Sequence, residues 1–134
     1  MKKNIRVSAA VIKSGNEMLC IQRGDNKLSY LSYKFEFPGG KVEENEHPRD
    51  TVMREVQEEL KMNIIVEKEY MVVEHEYPDF FLKMYVYICS VESRELQLTE
   101  HISYKWLMSE FLHTLDWAEA DILIVNKLIV DKNV

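Results

Sequence analysis

Gly39-Gly40-Lys41-Val42-Glu43-Glu44-Asn45-Glu46, followed after His47 by Pro48-Arg49-Asp50-Thr51-Val52-Met53-Arg54-Glu55-Val56-Gln57-Glu58-Glu59-Leu60, is the stretch that decides this chain's architecture. Pro48 suits a first helical position, where a missing N–H is no loss, and Asp50 complements the positive end of a helix. Val52, Val56 and Leu60 then recur at i, i+4 and i+8, so the spacing predicts a helix over 48–60 with one face in the core. Glu55, Glu58 and Glu59 fall together on another face, within about one turn. Like charges there destabilise a bare helix by roughly a few tenths of a kcal/mol per pair, and a bound dication reverses that cost. Hard oxygen donors in an incomplete cluster suit Mg²⁺ or Mn²⁺, which keep several waters and accept substrate phosphate oxygens as further ligands. The same glutamates would also serve as the solvated side of an amphipathic helix, so the trio alone leaves both meanings open.

Outward from the helix, short apolar runs alternate with turns. Ile5–Ile12 and Glu17–Gln22, divided by Lys13-Ser14-Gly15-Asn16, predict two neighbouring strands. Residues 23–33 are polar and loop-like, long enough to carry a function. Phe35-Glu36-Phe37 is then a short strand stopped by Pro38-Gly39-Gly40. Beyond the helix, 63–73 and 80–91 predict strands meeting at Tyr77-Pro78-Asp79 as a hairpin would, 102–107 a shorter strand, and 118–130 a closing helix carrying Ile122, Leu123, Val125, Leu128 and Ile129. The order strands, helix, strands, helix predicts an α/β class with a mixed sheet and helices packed against it.

At 134 residues, 46% hydrophobic and 30% charged, the chain has the composition of one ordinary globular domain. Lys plus Arg number 17 against 23 Asp plus Glu, a net charge of -6, which argues against a nucleic-acid polymer as partner. Cys20 and Cys89 each sit in an apolar run and read as reduced core thiols, not as a disulfide or zinc ligands. No run approaches the roughly 18 apolar residues of a membrane span, so no membrane partner is expected. Met1-Lys2-Lys3-Asn4 leads into Ile5–Ile12 without a cleavage-like site, so a cytoplasmic location is expected. Nothing in the sequence sets an oligomeric state.

The spacing around the glutamates is what separates the two meanings of the helix. Gly40-x5-Glu46-x7-Arg54-Glu55-Val56-x-Glu58-Glu59-x-x-Met62 resembles the signature of the Nudix hydrolases, G-x5-E-x7-R-E-U-x-E-E-x-G-U with U a bulky aliphatic. Six fixed identities at about 6% usage each, over about a hundred starting points, arise by chance on the order of once in 10⁵ to 10⁶ chains. Glu36-Phe37-Pro38-Gly39-Gly40-Lys41, Glu76-Tyr77-Pro78-Asp79 and Glu100-x5-Trp106 are similar to stretches of the MutT-like nucleoside triphosphate pyrophosphohydrolases within that family. One position departs, since Lys61 stands where the signature has Gly. A Lys would lose roughly 1 to 2 kcal/mol in the left-handed conformation of a helix end, so the helix is expected to run slightly on, with Asn63 taking that conformation.

The resemblance implies an α/β/α sandwich around a mixed sheet, and it implies roles residue by residue. Glu55, Glu58 and Glu59 would ligate Mg²⁺, with a carbonyl of Gly39 or Gly40 adding an oxygen. Glu100 matches a late carboxylate that in relatives binds a further metal or helps activate water, and Arg54 would orient the helix glutamates through charge-assisted hydrogen bonds. Glu46 would brace the loop against the helix. Arg23, Glu36, Phe37 and Pro38 would line the substrate side, Arg23 meeting phosphate or ribose, while Asp121 matches a residue that hydrogen-bonds the nucleobase edge. In the implied reaction, water acidified by Mg²⁺ and deprotonated by Glu55, Glu58 or Glu100 attacks a phosphorus of a nucleoside triphosphate, giving the monophosphate and pyrophosphate.

An ionised Asp121 only accepts, which favours bases presenting amino or N–H donors and points to CTP, modified dCTP or 8-oxo-dGTP. Asp121 also suits the role of a helix N-terminal acid, and Arg23 that of a plain surface residue. Phe37, Tyr33 and Trp117 would serve either as stacking platforms or as core. A Nudix-like binding or regulatory module without turnover, a purely structural acidic domain, and a hydrolase of ADP-ribose or a dinucleotide are the competing classes.

Overall fold

In the computed structural model, which describes residues 2–134, strand β1 (Lys3–Ser14) sets the layering. Its apolar residues alternate, Ala9 and Val11 packing into one buried cluster and Ala10 and Ile12 into another on the opposite face. A strand buried on both faces belongs in the middle of a sheet. Accordingly β1 lies between β2 (Glu17–Gln22), antiparallel, and β6 (Phe80–Ser90), parallel. The remaining elements are β3 (Phe35–Glu36), β4 (Gly39–Lys41), α1 (Pro48–Leu60), β5 (Ile65–Glu76), β7 (Ser103–Met108), a 3₁₀ turn at Ser109–Thr114 and α2 (Glu119–Val130). The seven strands form one mixed sheet in the order β3-β2-β1-β6-β5, with β4 paired to β1 and β7 to β2.

The helices cover the two faces. Val52, Val56 and Leu60 of α1, fully buried, meet Ile12, Leu19, Ile21 and Tyr87 on one side. Ile124, Val125 and Leu128 of α2 meet Val11, Met18, Val86 and Ile88 on the other. Each such side chain contributes about 1.5 to 3 kcal/mol by leaving water, which is why the stripe of α1 is a reliable guide to its orientation. The result is the α/β/α sandwich around a mixed sheet. Both cysteines are free, and burial pushes each thiol up to about 12; they sit in opposite core clusters. Among the described residues no helix is long and apolar enough to cross a membrane.

The hairpin turns fall where Gly15 (φ 63°) and Tyr77-Pro78-Asp79 placed them. Three expectations need correction. Pro38-Gly39-Gly40 does not merely stop a strand, because Gly39–Lys41 is itself β4, paired antiparallel with Val7, Ser8 and Ala9. β5 starts at Ile65 and runs on to Glu76, with two register shifts that absorb its extra residues. Lys61, not Asn63, takes the left-handed conformation (φ 56°, ψ 36°), and its N–H donates to the Gln57 carbonyl at 3.0 Å. The physical reason lies in its neighbours: Leu60 and Met62 are both buried, and the carbonyls of Glu59 and Leu60 accept the N–H groups of Thr99 and Gln97. These contacts fix where the helix stops, and the exposed Lys61 bears the strain.

Candidate active site

One ion-pair knot fastens the loop before α1 to the helix. The Glu46 carboxylate accepts Arg54 Nε at 2.8 Å and Nη2 at 3.0 Å, and Thr51 Oγ1 at 2.7 Å. Arg54, joined by the Glu43 N–H, holds the Glu46 carboxyl down to about 2. The same guanidinium reaches forward, Nη1 donating to Glu55 Oε1 at 2.9 Å and Glu58 Oε2 at 3.2 Å, and Nη2 to the Lys41 carbonyl at 3.1 Å. Arg54 thereby orients two helix carboxylates and ties them to β4.

β4 can lie close to β1 and α1 because two of its residues lack side chains. A Cβ on Gly39 would fall 1.9 Å from the Ser8 carbonyl oxygen, and one on Gly40 would fall 2.3 Å from the Glu55 carboxylate. The space so kept lets Glu55 rest against the strand and lets the Gly39 N–H donate to Glu59 Oε1 at 3.2 Å. Burial pushes the Glu59 carboxyl up to about 7, with Glu36 adding to it and His101 and the Gly39 N–H pulling back. Burial raises Glu55 as well, with Arg54 opposing and Glu58 and Glu100 adding repulsion. Glu58 is exposed, and so is Glu100. Glu55 and Glu58 turn onto Arg54 while Glu59 turns onto β4, so among the described residues no three acidic, His or Cys side chains converge on one point. The donor chemistry still suits a hard dication: carboxylate oxygens on one helix face, one of them desolvated, over a floor cleared by two glycines.

The segment between β6 and β7 forms the neighbouring wall. Its Gln97 and Thr99 N–H groups cap the last carbonyls of α1 at 2.9 and 3.2 Å, and the Ile102 N–H donates to Gln22 O at 3.0 Å. His101 is thereby buried, its side chain only 5% exposed, with Nε2 2.8 Å from Glu36 Oε2. The other Glu36 oxygen accepts Arg23 Nε at 2.7 Å, an arrangement set by the pairing of Ile21 with Glu36 across β2 and β3. Arg23 also feels the charges of Asp121 and Glu59, so the pair with Glu36 lies within the field of the acid face. His101 had no mark in the sequence beyond following Glu100, since a polar loop does not reveal that one of its imidazoles is buried.

Asp121, in the first turn of α2, is buried and its Oδ1 accepts the Phe37 N–H at 3.0 Å. Burial, and then the charge of Glu36, push its carboxyl up to about 8. A carboxyl so raised keeps its proton further up the pH scale than an ordinary Asp, and in that form it can donate as well as accept. Of the two roles open to Phe37 and Trp117 the core one fits, because their rings are buried and stack on each other at 4.7 Å between centroids. Pro38 is buried and its carbonyl accepts the Ala10 N–H at 2.8 Å, so it holds β4 against β1.

Comparison with known proteins agrees with this layout. The NUDIX domain model matches residues 2–126. The chain is 30% identical over 95 residues to the 8-oxo-dGTP diphosphatase of Proteus vulgaris, covering 71% of this chain and 84% of that protein. It is 26% identical over 126 residues to that of Escherichia coli (strain K12), covering 94% and 97%. Among solved structures it is similar to the DNA mismatch repair protein MutT, of the Nudix hydrolase family, from methicillin-resistant Staphylococcus aureus 252, with 41% identity, 96% and 98% coverage and a TM-score of 0.73.

Proposed function

The chain belongs to the Nudix family as a MutT-like hydrolase, and from that premise we propose that it cleaves a nucleoside triphosphate to the monophosphate and pyrophosphate, with oxidised dGTP as first candidate. The observation that carries this reading is the desolvated Glu59 carboxyl, raised to about 7 and lodged against Gly39 beside Glu55. An acid face of that kind is costly in a protein that does nothing with it.

Nudix hydrolases use divalent metal ions, and in this chain Glu55, Glu58 and Glu59, with a carbonyl of Gly39 or Gly40, would hold Mg²⁺, or Mn²⁺ in its place. When bound, such an ion supplies neutralisation of polyphosphate charge and a more acidic water. The chain's own groups do the rest. Arg54 keeps Glu55 and Glu58 aimed along one side of α1. Glu55, raised by burial, is placed to take a proton, with Glu58 and Glu100 as alternative acceptors. Arg23 offers its guanidinium to phosphate or ribose.

A protonated Asp121 complements an edge offering one donor and one acceptor. The N1–H and O6 of guanine present such a pair, and the activity named for the curated relatives favours it. The amino group and N3 of cytosine present another, so CTP or a modified dCTP is the second reading. In either case the role is sanitation of the cytoplasmic nucleotide pool. The test is a panel of 8-oxo-dGTP, dGTP, CTP, dCTP, 5-methyl-dCTP and ADP-ribose with Mg²⁺, scored by kcat/KM and pyrophosphate release. One triphosphate is expected to lead the panel, and Glu58→Gln is expected to lower its turnover at least about 100-fold with the fold intact. Pyrophosphate release at wild-type rate by a folded E58Q protein would remove the site assignment.

A further inference from the structure

We infer that His101 is a positioning residue of the substrate side, fixing Glu36 and, through it, the direction of Arg23. The inference rests on the proposal that Arg23 meets the phosphate or ribose of the substrate. Its basis is a chain of two contacts. His101 Nε2 lies 2.8 Å from one Glu36 oxygen, and Arg23 Nε lies 2.7 Å from the other. A carboxylate gripped by an arginine alone can swing about its own side-chain bonds, whereas one held on both oxygens from two elements cannot. Glu36 takes Arg23 at Nε, the root of the guanidinium, which leaves the terminal amino groups of a partly exposed side chain to a ligand.

The far end of the chain is anchored by hydrogen bonds. His101 is flanked by Thr99, whose N–H and hydroxyl both donate to Glu59 O, and by Ile102, whose N–H donates to Gln22 O at 3.0 Å. The first anchor is the backbone of α1 at the acid face; the second is the strand that leads into Arg23. His101 therefore refers the arginine to the helix carboxylates, the two parts between which a polyphosphate must lie. Its Nδ1 is buried with no hydrogen-bond partner among the described residues. Here the bond that is made is the one to Glu36.

The test compares His101→Ala, His101→Gln, His101→Asn and Arg23→Ala by steady-state kinetics on 8-oxo-dGTP and on CTP with Mg²⁺. Metal-free calorimetry with 8-oxo-dGMP and CMP gives a readout apart from turnover. H101A is expected to raise KM at least about 10-fold with kcat within about threefold, and to weaken the monophosphate in parallel. H101Q, whose amide nitrogen reaches the Nε2 position, should recover most of the affinity. H101N, which reaches only the Nδ1 position, should not. R23A should raise KM as much, and combining it with H101A should add nothing further. An R23A effect with no H101A effect, a fall in kcat alone, or equal behaviour of the Gln and Asn variants overturns the role of His101. An R23A protein with unchanged KM overturns the substrate reading beneath it as well. Should H101A fail to fold, the Gln and Asn pair still decides.

Discussion

Glu59→Gln offers a direct physical check on the acid face, because the structure makes its effect depend on pH in one direction only. The carboxyl rises from an ordinary 4.5 to about 7 in the folded chain, chiefly through burial. The folded state thus holds this proton more tightly than the unfolded chain does. Below pH 4.5 both states are protonated and Glu59 carries no penalty. Between 4.5 and 7 stability is progressively lost as the folded state is forced to ionise, and above 7 the whole penalty stands. At about 1.4 kcal/mol per pH unit the rise corresponds to about 3 kcal/mol at most, and roughly 2 after relaxation around the charge. Gln is neutral throughout and keeps an oxygen for the Gly39 N–H. In urea unfolding with a chelator present, E59Q should match the wild type near pH 4.5 and exceed it by roughly 2 to 3 kcal/mol at pH 8. Adding Mg²⁺ at pH 8 should raise the wild-type midpoint more than that of the variant, since specific binding to the native state stabilises it. A gain that is the same at all pH values, or a loss at pH 8, would refute the burial argument.

The two glycines of β4 should fail in different ways. Gly40→Ala pushes only on the end of the Glu55 side chain, so melting should barely move while kcat falls at least about tenfold; Gly39→Ala drives a methyl into the Ser8 carbonyl and should destabilise the fold by several degrees or more, read by thermal melting. Lys61→Gly removes left-handed strain worth about 1 to 2 kcal/mol against a gain in unfolded-chain entropy, so urea unfolding should show a net stabilisation of about 1 kcal/mol with turnover unchanged. Asp121→Asn should gain stability over the wild type as pH rises from 4 to 9, because the buried Asp121 carboxyl, raised to about 8, must ionise across that range while Asn does not.

What the sequence made legible was whatever local chemistry decides. The start of α1 follows from Pro48 and Asp50, its buried face from three residues at helical spacing, and the hairpins from Gly15 and Pro78. What it concealed was decided by partners distant in the chain. β4 exists because Ser8 and Ala9 pass within hydrogen-bonding reach of Gly-Gly, and a turn signal cannot announce that. The helix stop at Lys61 is set by Gln97 and Thr99, more than thirty residues on. Phe37 and Trp117 became core by finding each other, and the Asp121 carboxyl is raised by burial and by Glu36, neither of them near it in sequence. His101 was hidden for the same reason, since its bond to Glu36 spans 65 positions.

The same contrast explains why the acid helix departs from the rules that its other face obeys. On the core side, Val52, Val56 and Leu60 satisfy propensity, period and packing together. On the other side, three like charges share about one turn, a carboxyl is pulled out of water and a side chain is held in the left-handed region. Local violations of this kind persist only where the surroundings over-determine them. Here the surroundings are identifiable: Glu46 fixes Arg54, Arg54 neutralises Glu55 and Glu58, and β4 receives Glu59 through a bare main chain. Arg54 occupies, in charge, the part that a dication would play for two of the three carboxylates, yet its fixed fork leaves Glu59 without a cation of its own on the helix. Burial therefore dominates the Glu59 carboxyl, which is why its pH response is the sharpest probe of the acid face.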